Sequence, residues 1–283
     1  MIILQIQLYI FLFNMNNMKL LLAAFAVITC LSAGAQTLKE KWKLVWSEDF
    51  KGSKLDTTRW NYEVNDIGGG NHELQYYTAR DTNAYVKNGM LHIRGLKEDY
   101  LTRHYTSARL TTRNKADFTF GKIEVRAKLP AGRGMWPAIW MMPTDDKYGG
   151  WPVSGEIDIM EIKGQYPDTL YGTMHFGPAP PHNRHKGVLT ELEVPGGYTN
   201  AFHTYGIEWK KDTIAWYVDG RKYFEGTKSD VTNVAGVPYP FNERFHFILN
   251  LAIGGEFVGK PDDSIFPKEF LVDYIKVWEP LRP

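Results

Sequence analysis

The strongest constraint on how this chain folds is the recurrence of short runs with a period of two. Alternating β-branched, aromatic and polar residues recur at 43–46, 90–94, 108–112, 122–129, 156–162, 170–175, 204–209, 213–218, 246–251 and 272–278. Side chains alternate faces along a strand, so each run reads as a half-buried strand. Two tight hairpins are written in the turns: Asn88-Gly89 before 90–94, and Asp219-Gly220 after 213–218. Both dipeptides supply the positive φ angles of a two-residue turn. No helical period of useful length follows the amino-terminal segment. Many short strands without helices indicate an all-β sandwich or barrel.

A chain of 283 residues is compatible with a single sandwich domain, and no linker or internal repeat divides it. The formal net charge is +1, which gives no basic face for nucleic acid. Aromatic residues reach 14%, and the excess in Trp is the informative part. At the amino terminus Lys19 precedes an apolar run over 20–31, and Ala33-Gly34-Ala35 fits a small-x-small cleavage pattern. Residues 1–35 therefore read as a signal peptide, leaving 36–283 as the mature domain and a secreted, periplasmic or cell-surface location. The run is shorter than the roughly 20 residues a bilayer span needs, so no stable span is expected. Two weaker alternatives are a membrane anchor that includes the apolar stretch before Met18, and lipidation at Cys30. Cys30 is the chain's single cysteine, so the mature domain has no disulfide.

The chemistry concentrates at Gly155-Glu156-Ile157-Asp158-Ile159-Met160-Glu161-Ile162. Strand alternation puts Glu156 and Asp158 on one face and Ile157 and Ile159 on the other. Glu161 is out of phase by one, and a single bulge near Ile159-Met160 restores it to the acidic face. Crowded, partly buried carboxylates raise one another's pKa, a costly arrangement for a decorative surface. A pair of carboxylates about 5–5.5 Å apart is what glycoside hydrolysis with retention uses. The side chains of Glu156 and Glu161 would have to lean together over Asp158 to reach that distance. Clustered acids can also hold calcium, but the flanking tryptophans argue for a sugar site.

These residues resemble the catalytic motif of the family 16 glycoside hydrolases, in the form with an extra residue before the last Glu that typifies the laminarinase-like branch. The resemblance runs from about Trp42 to Trp278. Its pieces keep their order around the acidic strand: Ser47-Glu48-Asp49-Phe50, Glu73-Leu74-Gln75-Tyr76-Tyr77-Thr78, Ser107-Ala108-Arg109-Leu110, Phe120-Gly121-Lys122-Ile123-Glu124, Gly134-Met135-Trp136-Pro137-Ala138-Ile139-Trp140, Gly172-Thr173-Met174-His175, Phe202-His203-Thr204-Tyr205 and Val272-Asp273-Tyr274-Ile275. The resemblance implies a β-jelly-roll of two curved antiparallel sheets with an open concave substrate cleft. It implies an endo-1,3(4)-β-glucanase with Glu156 as nucleophile, Asp158 as its assistant and Glu161 as acid/base. Trp136, Trp140 and Trp151 become sugar platforms, and Asn71, Arg109 and His175 polar contacts. Trp42, Trp46, Trp60 and Trp278 are assigned to core packing. A structural calcium is implied at Glu48, Gly89 and Asp273, with no cofactor for catalysis. The partner is a β-glucan polysaccharide, and a monomer is the expected state.

The chain departs from the laminarinase pattern at Gly69, where an aromatic is often seen, at His72, where Asn is common, and in a proline-rich loop over 177–194. Two other readings are weighed against the glucanase. An algal galactan substrate, agarose or carrageenan in type, would keep the mechanism and use basic rim residues such as Arg133, Arg184 and Lys186. A non-catalytic glucan-binding module would be expected to lack one of the two glutamates, and both are present.

Overall fold

The computed structural model describes residues 41–281 apart from 193–195 and 234. The segment read as a signal peptide, with Cys30, lies outside the described residues. Among the described residues the elements are β1 (Trp42–Glu48), β2 (Asn61–Tyr62), β3 (Gln75–Tyr77), β4 (Ala84–Lys87), β5 (Met90–Tyr100), β6 (Arg103–Ser107), β7 (Arg109–Thr111), β8 (Asp117–Phe118), β9 (Gly121–Lys128), β10 (Met135–Pro143), β11 (Glu156–Ile162), β12 (Thr169–Phe176), β13 (Arg184–Glu191), β14 (His203–Lys210), β15 (Thr213–Val218), β16 (Arg221–Thr227), β17 (Phe245–Ile253) and β18 (Lys268–Pro280), with a short α-helix at Lys228–Thr232.

They form two stacked sheets. The ten-stranded sheet runs β16-β15-β14-β9-β18-β5-β6-β3, with β1 on β18 and β4 on β5. The eight-stranded sheet runs β13-β12-β11-β10-β17-β7-β2, with β8 on β17. Among the described strands only the β3–β6 pairing is parallel. This is the expected jelly-roll sandwich.

The core fills the space between the sheets. On β9, Ile123, Val125 and Ala127 point inward while Lys122, Glu124 and Arg126 remain half-exposed. On β12 the inward set is Leu170, Gly172, Met174 and Phe176. Strand β17, in the middle of the smaller sheet, is buried along its whole length. Its odd-numbered residues, Phe245 to Ile253, belong to the core cluster, and the even-numbered ones lie on the opposite face. At Gly172 a Cβ would fall 2.4 Å from Tyr223 Oη and 2.7 Å from Trp216 Cδ1. Only glycine lets β12 approach the facing sheet there.

Both hairpins form as expected. Asn88 and Gly89 have φ of 55° and 70°, and Asp219 and Gly220 have 49° and 75°. Each run read as a strand from its alternation contains one. Strand β10 escaped that reading because Met135–Pro143 is almost continuously apolar and contains Pro137, which ordinarily argues against a central strand. The segment 177–194, read as a loop, instead carries β13. That strand is a sheet edge, largely exposed, and so has no apolar alternation to betray it. Of the tryptophans assigned to the core, Trp60 is fully buried and Trp46 packs beside Phe118 and Phe247. Trp42 and Trp278 are only half-buried. Trp278 follows inward-facing Val277, so it turns outward and lies under Lys122.

Candidate active site

Strand β11 carries one residue more than either neighbour. Against β12, Asp158 faces Thr173 and Glu161 faces Tyr171, so three steps on β11 match two on β12. Against β10, Ile139 faces Met160 while Trp140 faces Asp158. The surplus residue is a bulge across Ile159-Met160. It returns Glu161 to the face of Glu156 and Asp158, and Ile157, Ile159, Met160 and Ile162 are buried. A bulge interrupts the hydrogen-bond ladder. The Asp158 carbonyl is taken by the indole of Trp216, which reaches across from the facing sheet at 2.7 Å. Leaving such a buried group unpaired would cost about 1–3 kcal/mol.

The neighbouring strands surround these acids on the same face. From β12 come Tyr171, Thr173 and His175, and from β10 Trp136, Ala138 and Trp140. Trp136 Nε1 donates to Glu161 Oε1 at 2.8 Å. Trp151 Nε1 donates to Glu156 Oε2. Asp158 is 1% exposed and its carboxyl hydrogen-bonds Glu156. His175 Nε2 lies 3.1 Å from Asp158 Oδ2, close in distance but not aligned as a hydrogen bond, since that oxygen has no hydrogen-bond partner.

Burial, reinforced by the charge of Glu156, pushes the Asp158 carboxyl well above its ordinary range. Burial likewise raises Glu161 well above the usual carboxylate value. The charges of Asp158 and Glu156 add to that, while the Trp136 hydrogen bond and His175 oppose it. Glu161 thus stands in surroundings that favour its protonated form, on the same strand face as a second glutamate, Glu156. Such a pair can run acid chemistry and nucleophilic chemistry side by side.

Arg109 and Trp140 meet directly: the guanidinium lies 4.6 Å from the ring centroid. Arg109 Nε is also 2.7 Å from Glu63 Oε2, so pairing with a structural acid and contact with a cleft tryptophan both hold. Asn71 lies in a turn, where its carbonyl accepts from the Glu256 amide at 2.9 Å. That turn adjoins Phe257, whose ring is 4.7 Å from Trp136 and 5.6 Å from Tyr171. Lys163 Nζ sits 4.2 Å from the Phe257 ring. Phe257, Tyr171 and Lys163 were missed in the sequence. Phe257 had a signal, an aromatic just past the Gly254-Gly255 turn that closes the buried strand. His185 was missed as well. It pairs across strands with His175, with ring centroids 5.7 Å apart, but lies in the segment read as a loop.

The residues named for calcium fall at one corner of the larger sheet. Glu48 faces Ile275, and Val272 faces Leu91, two residues past Gly89. Two backbone carbonyls and a carboxylate are hard oxygen donors of the kind calcium takes. Asp273 also pairs with Arg126. The side-chain cluster of metal-ligand type among the described residues is elsewhere, at Glu156, Asp158 and His175.

A jelly-roll with opposed carboxylates and indoles on its concave face is the architecture of a polysaccharide hydrolase, and the comparisons with known proteins agree. The family model for glycosyl hydrolases family 16 matches residues 70–262. A beta-glucanase of Rhodothermus marinus is 42% identical over 93% of this chain and 94% of its own. A glucan endo-1,3-beta-glucosidase of Cryptopygus antarcticus is 41% identical, over 84% of this chain and 92% of its own. Among solved structures, the catalytic domain of an endo-1,3-beta-glucanase (laminarinase) from Thermotoga petrophila superposes with a TM-score of 0.79 at 42% identity, covering 86% of this chain and 100% of that one. The chain belongs to glycosyl hydrolases family 16.

Proposed function

We propose that the chain is a retaining endo-hydrolase of β-1,3- or mixed β-1,3/1,4-glucans. The observation that carries this reading is the pair Glu156 and Glu161, brought to one face by the bulge, with Glu161 held toward its protonated form by burial. Glu156 attacks the anomeric carbon as the bond to the leaving oxygen breaks, and the Glu161 proton passes to that oxygen. Water then gives a proton back to Glu161 and displaces Glu156, so both residues end as they began. Asp158 steadies Glu156 through their shared hydrogen bond. Trp136, Trp140 and Trp151 offer apolar faces to pyranose rings, and Asn71, Arg109 and His175 offer polar contacts to hydroxyls.

The glucan reading draws on the relatives' names and on the basic residues. Arg184 and Lys186 flank His185 on β13 and so face away from the cleft, and Lys186 pairs with Asp230 instead. Neither of these two residues then offers its charge to a sulfated galactan in the cleft. Reducing-sugar release from laminarin, barley mixed-linkage glucan, agarose and κ-carrageenan tests this directly. Release is expected from one or both glucans. Release from a galactan alone would overturn the substrate assignment, and release from none would favour a binding module.

We also read the chain as exported, from the apolar run over 20–31 and Ala33-Gly34-Ala35, and as carrying a structural calcium at the Glu48, Gly89 and Asp273 corner. One preparation tests both. Exported protein is expected to begin at Gln36 and to melt at a lower temperature after chelation, with recovery on adding calcium. An uncleaved amino terminus would sink the first reading, and an unchanged melting temperature the second.

A further inference from the structure

Beside Trp140 lies a buried chain of hydrogen bonds that no step above uses. Trp140 Nε1 donates to Asn250 Oδ1 at 2.7 Å. Asn250 Nδ2 donates to the Tyr77 hydroxyl at 3.1 Å, and that hydroxyl donates to Glu73 Oε2 at 3.0 Å. Gln75 Nε2 donates to the same Glu73 oxygen at 2.6 Å, and Gln75 Oε1 accepts the Ile253 amide at 2.7 Å. None of Glu73, Gln75, Tyr77 and Asn250 is more than 5% exposed.

The direction of this chain is fixed from its far end. A backbone N–H can only donate, so Gln75 must present its oxygen to Ile253 and its NH2 to Glu73. Glu73 Oε2 also receives the Tyr77 proton, which leaves the Tyr77 oxygen free only to accept. Asn250 must then turn its NH2 toward Tyr77 and its carbonyl toward Trp140. The opposite amide orientation would set an NH2 against the indole N–H, donor against donor, in a buried place where an unsatisfied group is expensive. Arg109 covers one face of the same indole. The ring is thus gripped along its edge by Asn250 and over one face by Arg109.

We propose that Glu73, Gln75, Tyr77 and Asn250 form a positioning relay that sets the orientation of Trp140 and so tunes substrate affinity rather than the chemical step. The proposal rests on the reading of Trp140 as a sugar contact, and the test separates the two. KM and kcat on laminarin are measured for Tyr77→Phe, Glu73→Gln, Trp140→Phe and the double variant Tyr77→Phe/Trp140→Phe. Tyr77→Phe breaks the relay with little change in volume and is expected to raise KM about five- to tenfold, with kcat within about twofold. Glu73→Gln keeps an acceptor oxygen for Tyr77 and Gln75 and is expected to leave KM near the native value. In the Trp140→Phe background Tyr77→Phe should add nothing, as coupled residues in one network behave. If Trp140→Phe raises KM and Tyr77→Phe does not, or if the two effects simply add, the relay is refuted. A fall in kcat or in melting temperature with KM unchanged would refute it equally, by reducing Tyr77 to a packing role. If Trp140→Phe leaves KM unchanged, the sugar-contact reading itself fails and the relay falls with it.

Discussion

Replacing Glu156 with alanine is expected to lower turnover by roughly 10^4- to 10^6-fold, the scale on which removing a covalent nucleophile acts in other hydrolases. The loss is large because no other group on that face can take over. Asp158 is buried and engaged with Glu156, and Glu161 lies beyond the bulge, bonded to Trp136. The two glutamates can be told apart by rescue with azide. In Glu156→Ala the anion enters the space of the lost carboxylate and attacks the anomeric carbon itself, giving an α-glycosyl azide. In Glu161→Ala the glycosyl-enzyme still forms from an aryl glycoside whose leaving group needs no proton. Azide then displaces Glu156 from the other face and gives the β-product. The opposite pairing of variant and stereochemistry would exchange the two roles. A Glu156→Ala protein that kept more than about one per cent of its activity would end the covalent mechanism.

Much of this was legible because strands announce themselves by alternation. Lys122 to Lys128 reads inward and outward by turns, and the structure keeps that order residue by residue. The bulge was legible for a similar reason: Glu161 is the wrong parity for a cleft residue, and one surplus residue is the smallest repair. What stayed hidden did so for physical reasons. Strand β10 is apolar on nearly every position because the smaller sheet buries its centre on both sides, so it lacks the period of a half-exposed strand. Strand β13 lies at the opposite limit, exposed at an edge, where nothing selects for apolar residues. Contacts between elements far apart in sequence were hidden more deeply. Trp216 reads as one more core aromatic, and its bond to the Asp158 carbonyl depends on how one sheet lies over the other. Asn250 likewise carries no local sign that it joins Tyr77 to Trp140 across three strands.

Exchanging Asp158 for asparagine is expected to make the protein more stable at neutral pH while lowering its activity about a hundredfold. The two effects share a cause. Asp158 and Glu161 are both held well above their ordinary carboxyl range, by burial first and by neighbouring carboxylates second. The folded state therefore binds protons that the unfolded chain releases. Stability is full below the unfolded pKa values of about 4 and is lost as pH rises through the higher, folded ones. At neutral pH the native enzyme carries that strain, and an amide in place of Asp158 relieves the part due to one buried acid. Each 1 kcal/mol regained raises the melting temperature of a domain this size by roughly 2–4 °C. The gain should vanish near pH 4, where the carboxyl of the unfolded chain is also protonated. Glu161 loses a neighbouring charge in the same variant, so the alkaline limb of the pH–activity profile should move to lower pH. Melting curves at pH 4 and pH 8 decide the matter. A melting temperature that changes equally at both, or falls at pH 8, would mean that the acids cost the fold nothing. A gain confined to the higher pH would mean that stability is given up at this strand for a carboxyl that keeps its proton until the glycosidic oxygen takes it.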